Sequence, residues 1–144
     1  MKLVVQSIFH IIISSNGERK FLTRVNQDIL YNYIQAMLYN KHCIPIVVNG
    51  YGNHVHIVVD IVSEVTVQRL VKEIQINTTD FIRREKSVFP EFYGWGLNYV
   101  AISYHKSQLN ELKKLVDNQF NYHINNSFED ELRYLIGESE SAKV

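Results

Sequence analysis

The run Gly52-Asn53-His54-Val55-His56-Ile57-Val58-Val59-Asp60-Ile61 sets two imidazoles two residues apart in a stretch rich in β-branched side chains. Successive side chains of an extended strand leave opposite faces. Val55, Ile57, Val59 and Ile61 therefore share one side, and His54, His56 and Asp60 share the other. The apolar set belongs in a core. The His-x-His spacing holds the two α-carbons roughly 6.6 Å apart, and two converging rings can meet one ion at about 2.1 Å, which suits a divalent metal. The same spacing equally fits two histidines on a solvated strand face. A second group with possible chemistry is the basic cluster Arg69, Lys72, Arg83, Arg84 and Lys86. It is either a solvated helix face or a surface for DNA phosphates.

Composition bounds what these residues can serve. A chain of 144 residues, 46% hydrophobic and 21% charged, fits one soluble domain spanning 1–144. A single cysteine, Cys43, excludes an internal disulfide and a thiolate-cluster metal site. The opening Met1-Lys2-Leu3-Val4-Val5-Gln6-Ser7 breaks its apolar run at once, and no apolar stretch approaches the roughly 20 residues of a membrane span. The expectation is a cytoplasmic protein with no membrane partner. Fifteen basic residues balance fifteen acidic ones, which argues against avid non-specific nucleic-acid binding. The balance is uneven: residues 1–90 carry ten basic and seven acidic side chains, and residues 91–144 carry five and eight. A localised basic face remains compatible with it.

The elements that must position the histidines follow from periodicity. Val4 to Ile13 reads as a first strand, closed by turn chemistry at Ser14-Ser15-Asn16-Gly17. Ile29, Leu30, Tyr33, Ile34, Met37 and Leu38 recur at helical spacing in a helix ending near Lys41. Pro45 to Tyr51 and the His-x-His strand form a hairpin across Gly52-Asn53. Thr66 caps a second helix whose apolar stripe is Val67, Leu70, Val71, Ile74, Phe81 and Ile82. An aromatic segment, Phe92-Tyr93-Gly94-Trp95, precedes a strand from Tyr99 to Ser103; its rings suit core packing or the stacking of bases. Ser107 caps a third helix running to about Ile124, and Ser127 with Asp130 opens a fourth. The order is βαββαβ with two extra C-terminal helices, 105–144 being a helical extension. That is an α+β, ferredoxin-like antiparallel sheet with two helices on one face. The face bearing His54 and His56 then needs a cover, from the third helix or a partner subunit.

This order, together with several short motifs, resembles the single-tyrosine HUH transposases of small bacterial insertion sequences, including the repeat-associated tyrosine transposases. The resemblance rests on Phe9-His10-Ile11-Ile12-Ile13, His54-Val55-His56, Leu70-Val71, Phe89-Pro90, Trp95 to Ser103, Asn118-Gln119 and Ser127-Phe128-Glu129-Asp130-Glu131. It implies a homodimer that binds single-stranded or hairpin DNA, with a divalent metal (magnesium or manganese) held by His54, His56 and Gln119. The metal polarises a scissile phosphate, and a tyrosine one turn before the glutamine attacks it, leaving a 5′-phosphotyrosine. In such proteins the helix that carries this tyrosine commonly comes from the partner subunit. A wide apolar stripe on the third helix (Leu109, Leu112, Leu115, Val116 and Phe120) independently favours a dimer.

The nucleophile is where the pattern departs. Where the family reads Tyr-Ile-x-Asn-Gln, this chain reads Leu115-Val116-Asp117-Asn118-Gln119, and leucine has no atom that can attack phosphorus. Two lysines usual in the family are also absent, their positions falling on Ser15-Asn16 and on Gln75. Three readings follow. The chain is a non-cleaving DNA-binding protein; or Tyr122, seven residues on and about 10.5 Å further along the axis of one continuous helix, substitutes as catalytic tyrosine; or the attacking group is Tyr93, Tyr99 or Tyr104. A different class, a small hydrolase with Asp60 as third metal ligand in a closed pocket, leaves the C-terminal motif without a role.

Overall fold

The structure, a computed structural model, describes residues 6–141. Four strands form one antiparallel sheet: β1 (Ile8–Ser15), β2 (Ile44–Tyr51), β3 (His54–Asp60) and β4 (Trp95–Tyr104), in the order β2-β3-β1-β4. With α1 (Gln27–Asn40) after β1 and α2 (Val67–Arg84) after β3, this is the ferredoxin-like arrangement expected from the sequence. Val4 and Val5, expected in the first strand, lie outside the described residues. β4 begins at Trp95, four residues before its expected start, because Gly96 and its neighbours continue the ladder onto Ser15 across a register shift.

One face of the sheet is apolar. Ile11, Ile13, Val55, Ile57 and Val59 are fully buried there beneath Leu30, Ile34 and Leu38 of α1 and Leu70, Val71 and Ile74 of α2. Each such side chain contributes roughly 1.5–3 kcal/mol of burial. The hydroxyl of Thr66 accepts from the Arg69 N–H at 3.2 Å, the cap that starts α2. Phe92 and Trp95 pack edge-on against Phe21, and the Trp95 indole N–H donates to Thr78 Oγ1 at 2.8 Å. Those two rings are core. Tyr93 alone of that segment is exposed, beneath the Arg19 guanidinium.

The opposite face is covered by the C-terminal extension: α3 (Leu109–Asp117), α4 (Gln119–Asn125) and α5 (Phe128–Ser141). Leu112 and Val116 bury against Ile8 and Val58, with Leu109 and Leu115 half-buried beside them. The third helix is not continuous to Ile124. It breaks at Asn118 (φ −90°, ψ 19°), where Asn49 of β2 donates its amide to the Val116 carbonyl at 2.8 Å. A side-chain donor there replaces an intrahelical N–H, so the helix ends and restarts at Gln119. The expected cap was Ser107, but the chain enters α3 through a 3-10 turn, Lys106–Gln108, and it is this turn that is capped: the His105 ring accepts from the Ser107 N–H, and Gln108 Oε1 accepts from the His105 N–H. At α5 the expected pairing holds, with Ser127 N–H donating to Asp130 and Asp130 N–H donating to the Ser127 hydroxyl, both at 3.1 Å.

Gly50 sits where β2 meets the hairpin, and a Cβ built there would overlap the His54 carbonyl oxygen and press on the Tyr31 hydroxyl. Backbone cannot give way there without disrupting the pairing of Gly50 with Val55. Gly50→Ala is expected to destabilise the protein by about 2 kcal/mol or more, read as a lowered denaturant midpoint in equilibrium unfolding. A midpoint equal to that of the unmodified chain would show that the hairpin relaxes freely.

Candidate metal centre

β3 is buried along its whole length, on both faces. His54 and His56 are therefore enclosed between the sheet and the C-terminal helices, and the solvated alternative is excluded. Register explains who their neighbours are. Residues paired across an antiparallel ladder share a face, so His56 lies opposite Ile12 on β1 and Asn49 on β2, and Val58 lies opposite His10. Against this face, α4 contributes Gln119 and His123, and α5 contributes Glu131. His54, His56 and Gln119 are fully buried and Glu131 is 2% exposed.

The contacts are short. Glu131 Oε1 lies 2.9 Å from His56 Nε2, 3.2 Å from His54 Nε2 and 3.4 Å from His123 Nε2. Gln119 Oε1 lies 3.0 Å from His54 Nε2 and 3.1 Å from His123 Nε2, while its amide donates to Glu131 Oε2 at 2.6 Å. Outer partners fix the tautomers. His123 Nδ1 faces the Asn126 carbonyl at 2.9 Å, which can only accept, so the ring proton sits on Nδ1. His54 Nδ1 faces the Asn53 side-chain oxygen at 3.0 Å and is protonated by the same reasoning. Both rings thus turn Nε2 inward, toward the carboxylate and amide oxygens.

Burial lowers the His54 pKa to about 4, against the opposing pull of Glu131 and with help from His56 and His123. Burial likewise lowers His10 to about 3, reinforced by His56. These imidazoles are neutral at pH 7. Burial pushes the Glu131 carboxyl up, but hydrogen bonds with His123, His54 and His56 outweigh it and hold the group ionised. An ionised carboxylate ringed by imidazole nitrogens is a donor set suited to a cation. Ligand atoms of His54, His56 and Glu131 all lie within 4.8 Å of one another, a group compatible with a divalent metal. His10 completes it from behind: its Nε2 is 2.7 Å from His56 Nδ1. Ligation through His56 Nε2 needs the ring proton on Nδ1, donated to His10, the usual outer support of a metal-bound histidine.

Other residues singled out by the sequence lie elsewhere. Leu115 is half-buried among the aliphatic residues under β1 and β3. The break at Asn118 ends the continuous-helix relation between Leu115 and Tyr122. Tyr122 is placed against His123, ring centroids 5.1 Å apart, on the side where Glu131, Asp130 and Tyr134 of α5 also act on it. Burial, and then those three groups, raise its phenol pKa, which disfavours the phenolate a nucleophile needs. Asp60 accepts from the Ser7 N–H at 3.0 Å and is outside the cluster. Arg69, Lys72, Arg83 and Arg84 stand on α2, which packs on the other face of the sheet from the histidines; Arg69 pairs with Glu73. Three site residues were not assigned from the sequence: Glu131, His10 and His123. Glu131 and His10 fall inside motifs quoted above, and only the fold brings them to the strand.

With the fold and the buried His-x-His group described, comparison with known proteins gives the family. The chain matches the family model described as "Transposase IS200 like" over residues 3–119. It belongs to the IS200-like transposase family. Among solved structures it is similar to one described as a "putative transposase" from Deinococcus radiodurans R1, with a TM-score of 0.62 and 16% identity. The match covers 83% of this chain and 95% of that one, and it supports the fold. No curated protein matches the chain. Glu131 and all of α5 lie beyond the segment matched to the family. Among the described residues no helix is long and apolar enough to cross a membrane.

Because the donor set suits a divalent cation, manganese added to chelator-treated protein is expected to raise the thermal midpoint, by the mass action of a ligand that binds the folded state. The rise should vanish in His56→Ala and shrink strongly in Glu131→Gln. Differential scanning fluorimetry across a manganese titration checks this, and an undiminished shift in Glu131→Gln would remove that carboxylate from the site.

Proposed function

We propose that this transposase-family protein binds single-stranded or hairpin DNA through a divalent metal, magnesium or manganese, and does not cleave it through residue 115. His54, His56 and Glu131 hold the metal. Gln119 presents Oε1 to the same point and steadies Glu131 through its amide. The metal supplies charge neutralisation for a phosphate oxygen and orients the phosphate. What supports the reading is the combination of a complete, tautomer-fixed donor set with Leu115 at the position of the family's tyrosine. The basic side chains Lys72, Arg83 and Arg84, with Arg69, give α2 a surface for the phosphates of a duplex stem, on the face away from the metal. Because α5 seals the donor set, a phosphate oxygen meets the metal only after α5 shifts.

On labelled hairpin DNA with manganese, the unmodified chain is expected to give a shifted band in a native gel and no covalent band in a denaturing one. Leu115→Tyr is expected to add no covalent band, since residue 115 lies in the aliphatic patch beyond the break at Asn118 and not at the donor set. A covalent band from the unmodified chain that disappears in Tyr122→Phe would overturn this reading in favour of Tyr122 as nucleophile.

We propose further that the protein acts as a homodimer. The apolar stripe of α3 is largely spent on its own sheet, through Leu112 and Val116. The apolar surface left for a partner is on α4 and α5, where Ile124 is 64% exposed and Ile136 38%. Sedimentation equilibrium at micromolar concentration is expected to give twice the chain mass, and a monomer across that range would refute the dimer.

A further inference from the structure

α4 brings a third imidazole to the metal centre. Gln119 and His123 stand four residues apart on it, a spacing that sets both side chains on one face of a helix. β3 does the same with His54 and His56 at a spacing of two. Each element offers a pair of donors, and Glu131 of α5 lies between the pairs, its Oε1 in contact with the Nε2 atoms of His54, His56 and His123. Resting on the metal site proposed above, we infer that His123 is a further ligand of that metal, so that three imidazoles and two oxygens hold the ion and one position of an octahedral shell stays open.

Three observations carry the inference. The first is spacing. Ligands about 2.1 Å from a metal lie about 3.0 Å apart at a right angle and about 3.4 Å apart at the tetrahedral angle. His123 Nε2 is 3.1 Å from Gln119 Oε1 and 3.4 Å from Glu131 Oε1. His54 Nε2 is 3.0 Å and 3.2 Å from the same two oxygens. His123 therefore meets both oxygens as His54 does.

The second is orientation. Ligation through Nε2 asks for the ring proton on Nδ1, and the Asn126 carbonyl accepts it there at 2.9 Å. The ring is held as well as aimed: Tyr51 stacks on it at 5.1 Å, and Tyr122 and His54 stand edge-on at 5.1 and 4.9 Å. Its side chain is 3% exposed, so solvent does not compete for Nε2.

The third is access. A crevice of about 310 Å³ opens between Lys20, Asn53 and Asn126 and ends on His54 and His123. An ion entering there meets those two rings before His56 or Glu131, which do not border it. Three imidazoles suit a first-row transition ion such as cobalt or zinc, and manganese less strongly. Magnesium prefers oxygen and keeps several waters, for which one open position leaves no room.

The test is cobalt(II) binding by the full chain after chelator treatment. In the proton NMR spectrum of the cobalt-loaded protein, each ligated histidine whose other nitrogen is protonated gives one strongly shifted, exchangeable N–H signal. Three such signals are expected from the unmodified chain and two from His123→Asn. The asparagine amide can still donate to the Asn126 carbonyl, but it has no atom at the place of Nε2. Titration calorimetry should show cobalt binding by His123→Asn weakened about a hundredfold, the upper end of what loss of a supporting partner alone costs. His123→Gln, which returns an oxygen near that place, should recover manganese binding more fully than cobalt binding. Two shifted signals from the unmodified chain, or unchanged cobalt affinity in His123→Asn, would make His123 a hydrogen-bond partner of Glu131 only. Either result overturns the inference and leaves the site of His54, His56 and Glu131 in place. The signal count is read on the unmodified protein, so it decides the matter even where a variant fails to fold. No cobalt binding by the unmodified chain, or full binding by His56→Ala, refutes the proposed metal site and this inference with it.

Discussion

The polar half of the outer face of the sheet answers one electrostatic problem: an ionised carboxylate is enclosed beside the neutral imidazole of His54. Glu131 could not remain charged there without the Gln119 amide at 2.6 Å and the ring of His56 at 2.9 Å. Those contacts require α4 to begin where it does, and α5 to return over β3. The break at Asn118, set by the Asn49 amide on the Val116 carbonyl, turns the chain so that Gln119 points into the sheet rather than continuing the apolar stripe of α3. Phe128, stacked on His54 at 3.9 Å, closes the remaining side. Hydrophobic burial alone does not account for the placement of α5, because Leu135 is its one fully enclosed aliphatic side chain among the described residues. The polar cluster is what specifies where that helix lies.

How much of this was legible in the sequence depends on range. Period-two alternation in residues 54–61 assigned His54 and His56 to a face of their own, since that rule needs only neighbours. Ser127 and Asp130, three residues apart, announced the start of α5 for the same reason. Glu131 was hidden because its partner His56 is 75 residues away and because, in a run of three acidic residues at a helix start, it looks like a charge placed to suit the helix dipole. Of Glu129, Asp130 and Glu131, only Glu131 faces inward. His10 read as one polar residue in a first strand, and its contact with His56 depends on the β1–β3 register. The helix break at Asn118 carries no glycine or proline; its cause is a side chain on another strand.

The sheet also divides labour between its faces. One is an aliphatic sandwich under α1 and α2, where the chain obtains its stability. The other holds the polar cluster, where any chemistry has to occur. Two basic regions therefore have different access: α2 presents charge to ligands that stay outside, and the loop after β1 presents it beside the donor set. A neutral overall charge is consistent with that division, because neither region is a large surface of one sign.

The same division explains how a chain can have leucine at residue 115 and an undisturbed metal centre. Leu115 belongs to the aliphatic patch of Ile8, Val58, Leu112 and Val116, and Gln119 belongs to the polar cluster; the break at Asn118 lies between them. In one continuous helix the two would sit one turn apart on a single face, and a change in one would be felt by the other. Here the rings are held by hydrogen bonds to Asn53, Asn126 and His10, none of which touches residue 115. Loss of an attacking group at 115 therefore leaves the charge of Glu131, the tautomers of His54 and His123 and the docking of α5 unaltered. Under the proposed function, metal binding is separable from strand cleavage because different helices, joined at a non-helical residue, carry the donor set and residue 115.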